Sequence, residues 1–236
     1  MNGYFDIPSD LQHSYGGLIA VHMQEALVPV LVGLLLALPV GLLCVHYDWL
    51  YPPVLWTSTV LYAIPSIAFF VVLIDYTGLT QLTVMIPLGL YSLVVLVPAV
   101  VDGIRSVPEE TNAAASAMGI GLARRYFQVQ LPIAVPAIMA GLRVAVASSI
   151  SLVSIGALIG NQGGLGNLLT TAQLYDRPRL AVTSVVTTAV LAIVIDALLV
   201  LLRRVLTPWE PPSARAARRS GATTADVAAR TPEGVS

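Results

Sequence analysis

Apolar runs long enough to cross a bilayer constrain this chain more than any other feature. About 20 helical residues cross roughly 30 Å of hydrocarbon, and five stretches reach that length, at residues 26–45, 54–74, 82–101, 133–159 and 180–202. A segment in lipid must satisfy its own backbone N–H and C=O groups, so each run is predicted as a helix. With 56% hydrophobic and 11% charged residues and a mean hydropathy of +0.82, little polar surface remains to wrap a soluble core. The expected fold class is an all-α integral membrane protein with five transmembrane helices. Small and proline residues recur inside the runs, at Pro39 and Gly41, Pro65 and Ser66, and Ser148, Ser149 and Ser151, and such residues let helices pack closely.

The flanks divide the chain. Residues 1–25 lack the basic start and short apolar centre of a cleaved signal peptide, so they are expected as an external segment ahead of an uncleaved first anchor. Residues 26–207 form the expected membrane domain. From residue 208 the composition turns to Pro, Ala, Ser, Thr and Arg, and residues 208–236 are expected as a disordered cytoplasmic tail. All 12 basic residues are arginines. Five crossings with an outer N-terminus and a cytoplasmic C-terminus leave only Arg177 and Arg179 outside and put the others, Arg143 among them, on the inner side, as the positive-inside rule asks.

That orientation puts the one long polar interruption, residues 103–132 between the third and fourth spans, in the cytoplasm. It reads as helix, glycine break, helix. Ser106 and Glu109 fit a capping box, and Pro108 fits the first turn, where its missing N–H costs nothing. Alanines over 113–115 favour helix and leave a smooth surface, and Gly119 and Gly121 stop it. A second short helix carries Arg124 and Arg125. It is predicted to end near Leu131, because Pro132 disfavours helical geometry in the residue before it.

Within this interruption Ala113-Ala114-Ala115, three residues, Gly119, nine residues, Val129, one residue and Leu131-Pro132 reproduce the spacing of the EAA loop of ABC-importer permeases. Only Ala113 departs, where the family usually has glutamate. The chain further resembles permeases of osmoprotectant importers, those for glycine betaine, proline betaine, carnitine and choline. Three segments carry that resemblance: Tyr62-Ala63-Ile64-Pro65-Ser66, the Met118-Gly119, Leu131-Pro132 and Ile138-to-Arg143 series, and Gly163-Gly164-Leu165-Gly166. Tyr62-Ala63 stands where the family often has Gln-Thr.

The resemblance implies a multi-pass protein of the bacterial inner membrane that works with two ABC ATPase subunits, a second permease, identical or related, and an extracytoplasmic solute-binding protein. It implies no nucleic-acid partner. ATP and Mg²⁺ belong to the ATPase, and this chain is expected to bind no cofactor. Glu109, Glu110, Ala113, Ala114, Ala115, Gly119, Arg124 and Arg125 are the expected ATPase-coupling residues. Tyr62, Pro65, Ser66, Phe69 and Tyr91 are the expected pathway residues, the aromatic faces suiting a quaternary ammonium ion. Permeases for amino acids or other polar solutes share the loop and remain the alternative.

Other chemistry finds little support. No G-x-x-x-x-G-K-[ST] phosphate loop occurs, and there is no lysine. His13, His22 and His46 are scattered without metal-ligand spacing, and Cys44 is alone. An intramembrane enzyme would have to use Ser66 or Asp196. Asp196, the one acid well inside an apolar run, is expected to reach Arg203 and Arg204 at the inner interface.

Overall fold

The computed structural model describes residues 15–159 and 164–209. Among them every regular element is helical: α1 (Tyr15–His46), a 3-10 turn (Asp48–Leu50), α2 (Tyr51–Ala63), α3 (Ser66–Thr77), α4 (Gln81–Arg105), α5 (Glu109–Ala117) and α6 (Leu122–Arg125). A π-helical turn (Tyr126–Gln130), α7 (Leu131–Gly156), a 3-10 turn (Ala157–Ile159), α8 (Gly166–Leu174) and α9 (Pro178–Leu206) follow.

Four helical bodies are individually long and apolar enough to cross a membrane: Tyr15–His46, Gln81–Arg105, Leu122–Ile159 and Pro178–Leu206. A fifth crossing requires α2 and α3 taken together, and these meet at 90°. The predicted runs at 82–101 and 180–202 correspond to α4 and α9, each extended by up to a turn at either end.

α4 is the central helix, packed between α1 and α7. Leu88, Leu96 and Val100 on α4 meet Ala26 and Val30 of α1 and Ile150 of α7 in the buried core. Close approach depends on missing side chains. A methyl at Gly41 of α1 would lie 2.5 Å from Val100, and one at Gly141 of α7 would lie 2.5 Å from Ala99. Dispersion and shape, rather than hydrophobicity, hold helices together in lipid, so these glycines set the interaxial distance.

Four local expectations are corrected. Among the described residues α1 already runs from Tyr15, so the boundary expected at residue 25 falls inside it. Its early polar residues are satisfied by partners from distant parts of the chain. His22, fully buried, donates from Nε2 to the Ile150 carbonyl at 3.1 Å and accepts the Leu165 N–H at Nδ1 at 3.3 Å. The run at 54–74, predicted as one helix, is broken at Pro65 into α2 and α3. No capping box forms, because Ser106 closes α4, its hydroxyl donating to the Gly103 carbonyl at 2.7 Å, and Pro108 takes the N-cap of α5. The helix bearing Arg124 and Arg125 does not stop before Pro132. Leu131 keeps helical angles (φ −62, ψ −46), and the π turn just upstream widens the ladder where the proline lacks an N–H. Residues 122–159 therefore form one helical body from the polar interruption to the far side of the bundle.

The two ends of the bundle are distinct. At one, Arg105 at the end of α4 pairs with Asp48 just past α1 at 2.8 Å, and its guanidinium lies 4.8 Å from the Tyr51 ring centroid. At the other, His22, Ile150, Leu165 and Ser184 converge, Ser184 donating to the Leu165 carbonyl at 2.8 Å. Gly164, at φ +72, opens the turn beside His22. Gly163 and residues 210–236 lie outside the described residues.

Candidate functional site

Two places gather the residues singled out from the sequence. The first is a cavity of about 250 Å³ at the α2–α3 break, walled by Tyr62, Pro65 and Ser66 from the break, Tyr91 and Ser92 from α4, and Ser148 and Ser149 from α7. Pro65 creates it. Lacking an N–H, the proline gives nothing to the Leu61 carbonyl, which takes the Ile64 N–H instead at 3.2 Å. Ile64 is pushed to an extended ψ of 123 and Pro65 to 128, so the chain leaves the helix axis. The Ile64 carbonyl, turned out of the ladder, accepts the Tyr91 hydroxyl at 3.0 Å. Irregular backbone at membrane depth needs such a partner.

Tyr91 also organises the aromatic residues. Tyr62 meets its ring edge-on at 6.2 Å and Phe69 at 6.1 Å, both within the usual range for T-shaped pairs. Tyr62, Pro65, Ser66 and Tyr91 line the cavity, while Phe69 buttresses Tyr91 without forming its wall. No charged side chain lines it among the described residues. The wall therefore offers ring faces and hydroxyl groups but no counter-ion. Among the described residues neither a histidine nor a carboxylate lines that wall with Ser66.

Three parts of this wall are not legible in the sequence: Ser148 and Ser149 signal only close packing, and Ser92 carries no signal. Ser149 and Ser92 are partly occupied with backbone, Ser149 donating to the Ala26 carbonyl at 2.8 Å and Ser92 to Gly89 at 2.7 Å.

The second place is the hairpin of α5, α6 and the π turn. α5 ends in a Schellman motif: the Gly119 N–H reaches the Ser116 carbonyl at 2.9 Å and the Ile120 N–H reaches Ala115 at 3.1 Å. Gly119 sits at φ +75, which only glycine adopts without cost. Two side-chain ties brace the halves, Gln130 donating to Asn112 at 2.9 Å and Arg125 to the Ser116 hydroxyl. Arg125 is thus an internal strut, and Arg124 donates along its own helix to Gln128 at 2.9 Å. Ala115 is buried, whereas Glu109, Glu110, Ala113, Ala114 and Gly119 are exposed together with the apolar Met118 and Leu122. Tyr126, buried in the π turn, donates to the Leu38 carbonyl of α1 at 3.2 Å and ties the hairpin to the bundle.

Asp196 is paired differently from the expectation. Arg143 of α7 grips it with both arms of the guanidinium, Nε to Oδ1 at 2.6 Å and Nη2 to Oδ2 at 2.8 Å. Arg143 stands near the middle of α7, so it does not belong to the inner-side charge count. Its place ten residues inside a predicted span was the available signal.

A helical bundle with small-residue packing, an apolar helix pair broken at Pro65 and an exposed helical hairpin between two candidate spans has the make-up of a multi-pass membrane protein. Solved structures agree on the fold. The chain superposes on inward-facing conformations of the MetNI methionine ABC transporter with a TM-score of 0.72 at 18% identity, covering 85% of this chain and 100% of that one. A second crystal form gives 0.70 at 19% identity over 87% and 100%. Residues 30–209 match the family described as binding-protein-dependent transport system inner membrane component. The chain is 36% identical over 192 residues to the osmoprotectant import permease protein OsmW of Salmonella typhimurium, covering 79% of this chain and 89% of that protein. It is 31% identical over 188 residues to the choline transport system permease protein OpuBD of Bacillus subtilis, covering 79% and 83%. The chain belongs to this family of inner membrane permease components, and it is a multi-pass membrane transport subunit.

Proposed function

We propose that this chain forms the membrane pathway of an ATP-driven importer for small quaternary-ammonium osmoprotectants, among them glycine betaine, proline betaine, carnitine and choline. The observation that carries the substrate class is the cavity wall, two tyrosine rings with serine hydroxyls and, among the described residues, no charged side chain. A methylated ammonium has no N–H to satisfy and is attracted to ring faces. A primary ammonium brings three donors and would lose its water without a carboxylate to replace it. OsmW and OpuBD, named for osmoprotectant and choline transport, support the same class.

Five crossings, the fifth being the bent α2–α3 pair, put the N-terminus outside and the hairpin and C-terminus in the cytoplasm. Arg105, Arg124, Arg125, Arg203 and Arg204 then lie inside against Arg177 and Arg179 outside, in keeping with positive-inside bias. The exposed face of α5, with Glu109, Glu110, Ala113, Ala114 and Met118, seats in an ATPase subunit that holds ATP and Mg²⁺. The permease binds no cofactor of its own. Two permeases, identical or related, enclose the pathway. ATP-driven closure of the ATPases draws the hairpins together and opens the cavity outward to the solute-binding protein, and hydrolysis resets it inward.

The test is reconstitution of the chain with its ATPase and binding protein in proteoliposomes, followed by uptake of labelled glycine betaine, choline and methionine. ATP-dependent accumulation of the first two, with methionine left outside, is expected. Accumulation of methionine alone overturns the substrate assignment.

A further inference from the structure

We infer that the Arg143–Asp196 pair is a strut through which the hairpin and α7 carry α9 with them during transport. The inference rests on the importer reading and adds a positioning role for two residues to which that reading gives none.

α7 needs no intermediary to follow the hairpin, because residues 122–159 form one helical body. α9 has no such continuity. Its buried residues, Leu180, Thr183 and Ser184, all lie in its first two turns. Beyond Thr187, where Tyr15 meets it, α9 is applied to the bundle through the half-buried Ala192, Ile195 and Leu199 and through Asp196. The N-terminal end of the helix is thus anchored where His22, Leu165 and Ser184 meet, and its remaining two thirds carry the two-pronged ion pair to α7.

The physics of that pair makes it hard to open. Both side chains keep part of their surface exposed, 37% for Arg143 and 41% for Asp196, in helices apolar enough to cross a membrane. Separating them leaves a guanidinium and a carboxylate each without a counter-charge in helices apolar enough to cross a membrane, where an unpaired charge is costly. The planar fork on the two carboxylate oxygens is the geometry in which both charges are best satisfied. A displacement of α7 that leaves both groups at membrane depth therefore takes Asp196 along. Greasy contacts at Ile195 and Leu199 alone would let α7 slide past α9.

Spin labels at Val144→Cys on α7 and Ile193→Cys on α9 read this directly, in a Cys44→Ala background. Both positions are exposed, at 56% and 68%. In the complex with the ATPase, the α7–α9 label distance is expected to be the same without nucleotide and with ATP trapped. The variant Arg143→Gln with Asp196→Asn removes both charges together and so strands neither. It is expected to retain the ATPase subunit and its ATP turnover, to let the label distance change on ATP binding, and to lose about tenfold in glycine betaine taken up per ATP, a coupling of ordinary size. The swap Arg143→Asp with Asp196→Arg is expected to recover part of that loss. A native label distance that changes with ATP, or a double neutral variant with native uptake per ATP, overturns the strut while the importer reading stands. A native chain that binds no ATPase overturns both.

Discussion

Tyr91 bears two duties that separate cleanly by substitution. Tyr91→Phe keeps the ring that Tyr62 and Phe69 pack against but removes the donor to the Ile64 carbonyl, leaving a carbonyl unpaired at membrane depth. An unsatisfied buried group costs about 1–3 kcal/mol, so the thermal midpoint of the purified complex is expected to fall. An unchanged midpoint would mean that the break does not depend on this bond. Tyr62, at 62% exposure, has no such structural bond among the described residues, and under the proposed function its ring face is what it would offer a cation. Tyr62→Phe is expected to keep betaine uptake near native, whereas Tyr62→Ala loses roughly five- to thirtyfold in apparent affinity, the value of about 1–2 kcal/mol for one desolvated cation–π contact. Equal loss in both variants would point to the hydroxyl instead.

The elements differ in how much of them was legible beforehand. α4 and α9 are uninterrupted apolar runs, and hydropathy alone finds them. The apolar run at 54–74 was legible as a run but not as two helices at a right angle. A proline states that one hydrogen bond is missing, whereas the partner of the carbonyl at the break, the Tyr91 hydroxyl, stands 27 residues away. The hairpin showed its glycine stop but hid its end, because the π turn that carries the helix through Pro132 leaves no local pattern in Tyr126 to Gln130. Of the cavity, Tyr62, Pro65, Ser66 and Tyr91 were visible as residue types, and the serines of α7 were not, since only packing brings that face to the break. Arg143 illustrates the limit of charge counting: an arginine inside a run signals a partner, and the partner lay 53 residues on. Close helix contact gives a prediction at this scale. Gly141→Val drives side-chain atoms into Ala99 on α4, an overpacking that costs about 1–3 kcal/mol. Size-exclusion chromatography after mild heating is expected to show earlier loss of the monodisperse peak than for the native chain, and an identical profile would mean that α4 and α7 can part without cost.

At the scale of the whole molecule, the chain is a bundle whose cavity at the α2–α3 break and whose hairpin are joined by α4 and by the unbroken 122–159 body. Gly119 is the residue on which the hairpin turns. Gly119→Glu forces φ +75 on a residue with a Cβ and sets a charge in the exposed face, although the space around it is open. Insertion of the chain into the membrane is expected to persist while ATP-dependent uptake falls at least about tenfold, a modest coupling loss. Under the importer function proposed above, this chain is the membrane half of a machine whose motor is another protein, and co-purification is the direct test. Solubilised in mild detergent with a tag on this chain, the native complex is expected to bring an ABC ATPase subunit with it, and the Gly119→Glu chain markedly less. Its ATP hydrolysis is expected to rise when betaine-loaded binding protein is added. A native chain that purifies without an ATPase, from membranes in which that subunit is present, contradicts the account.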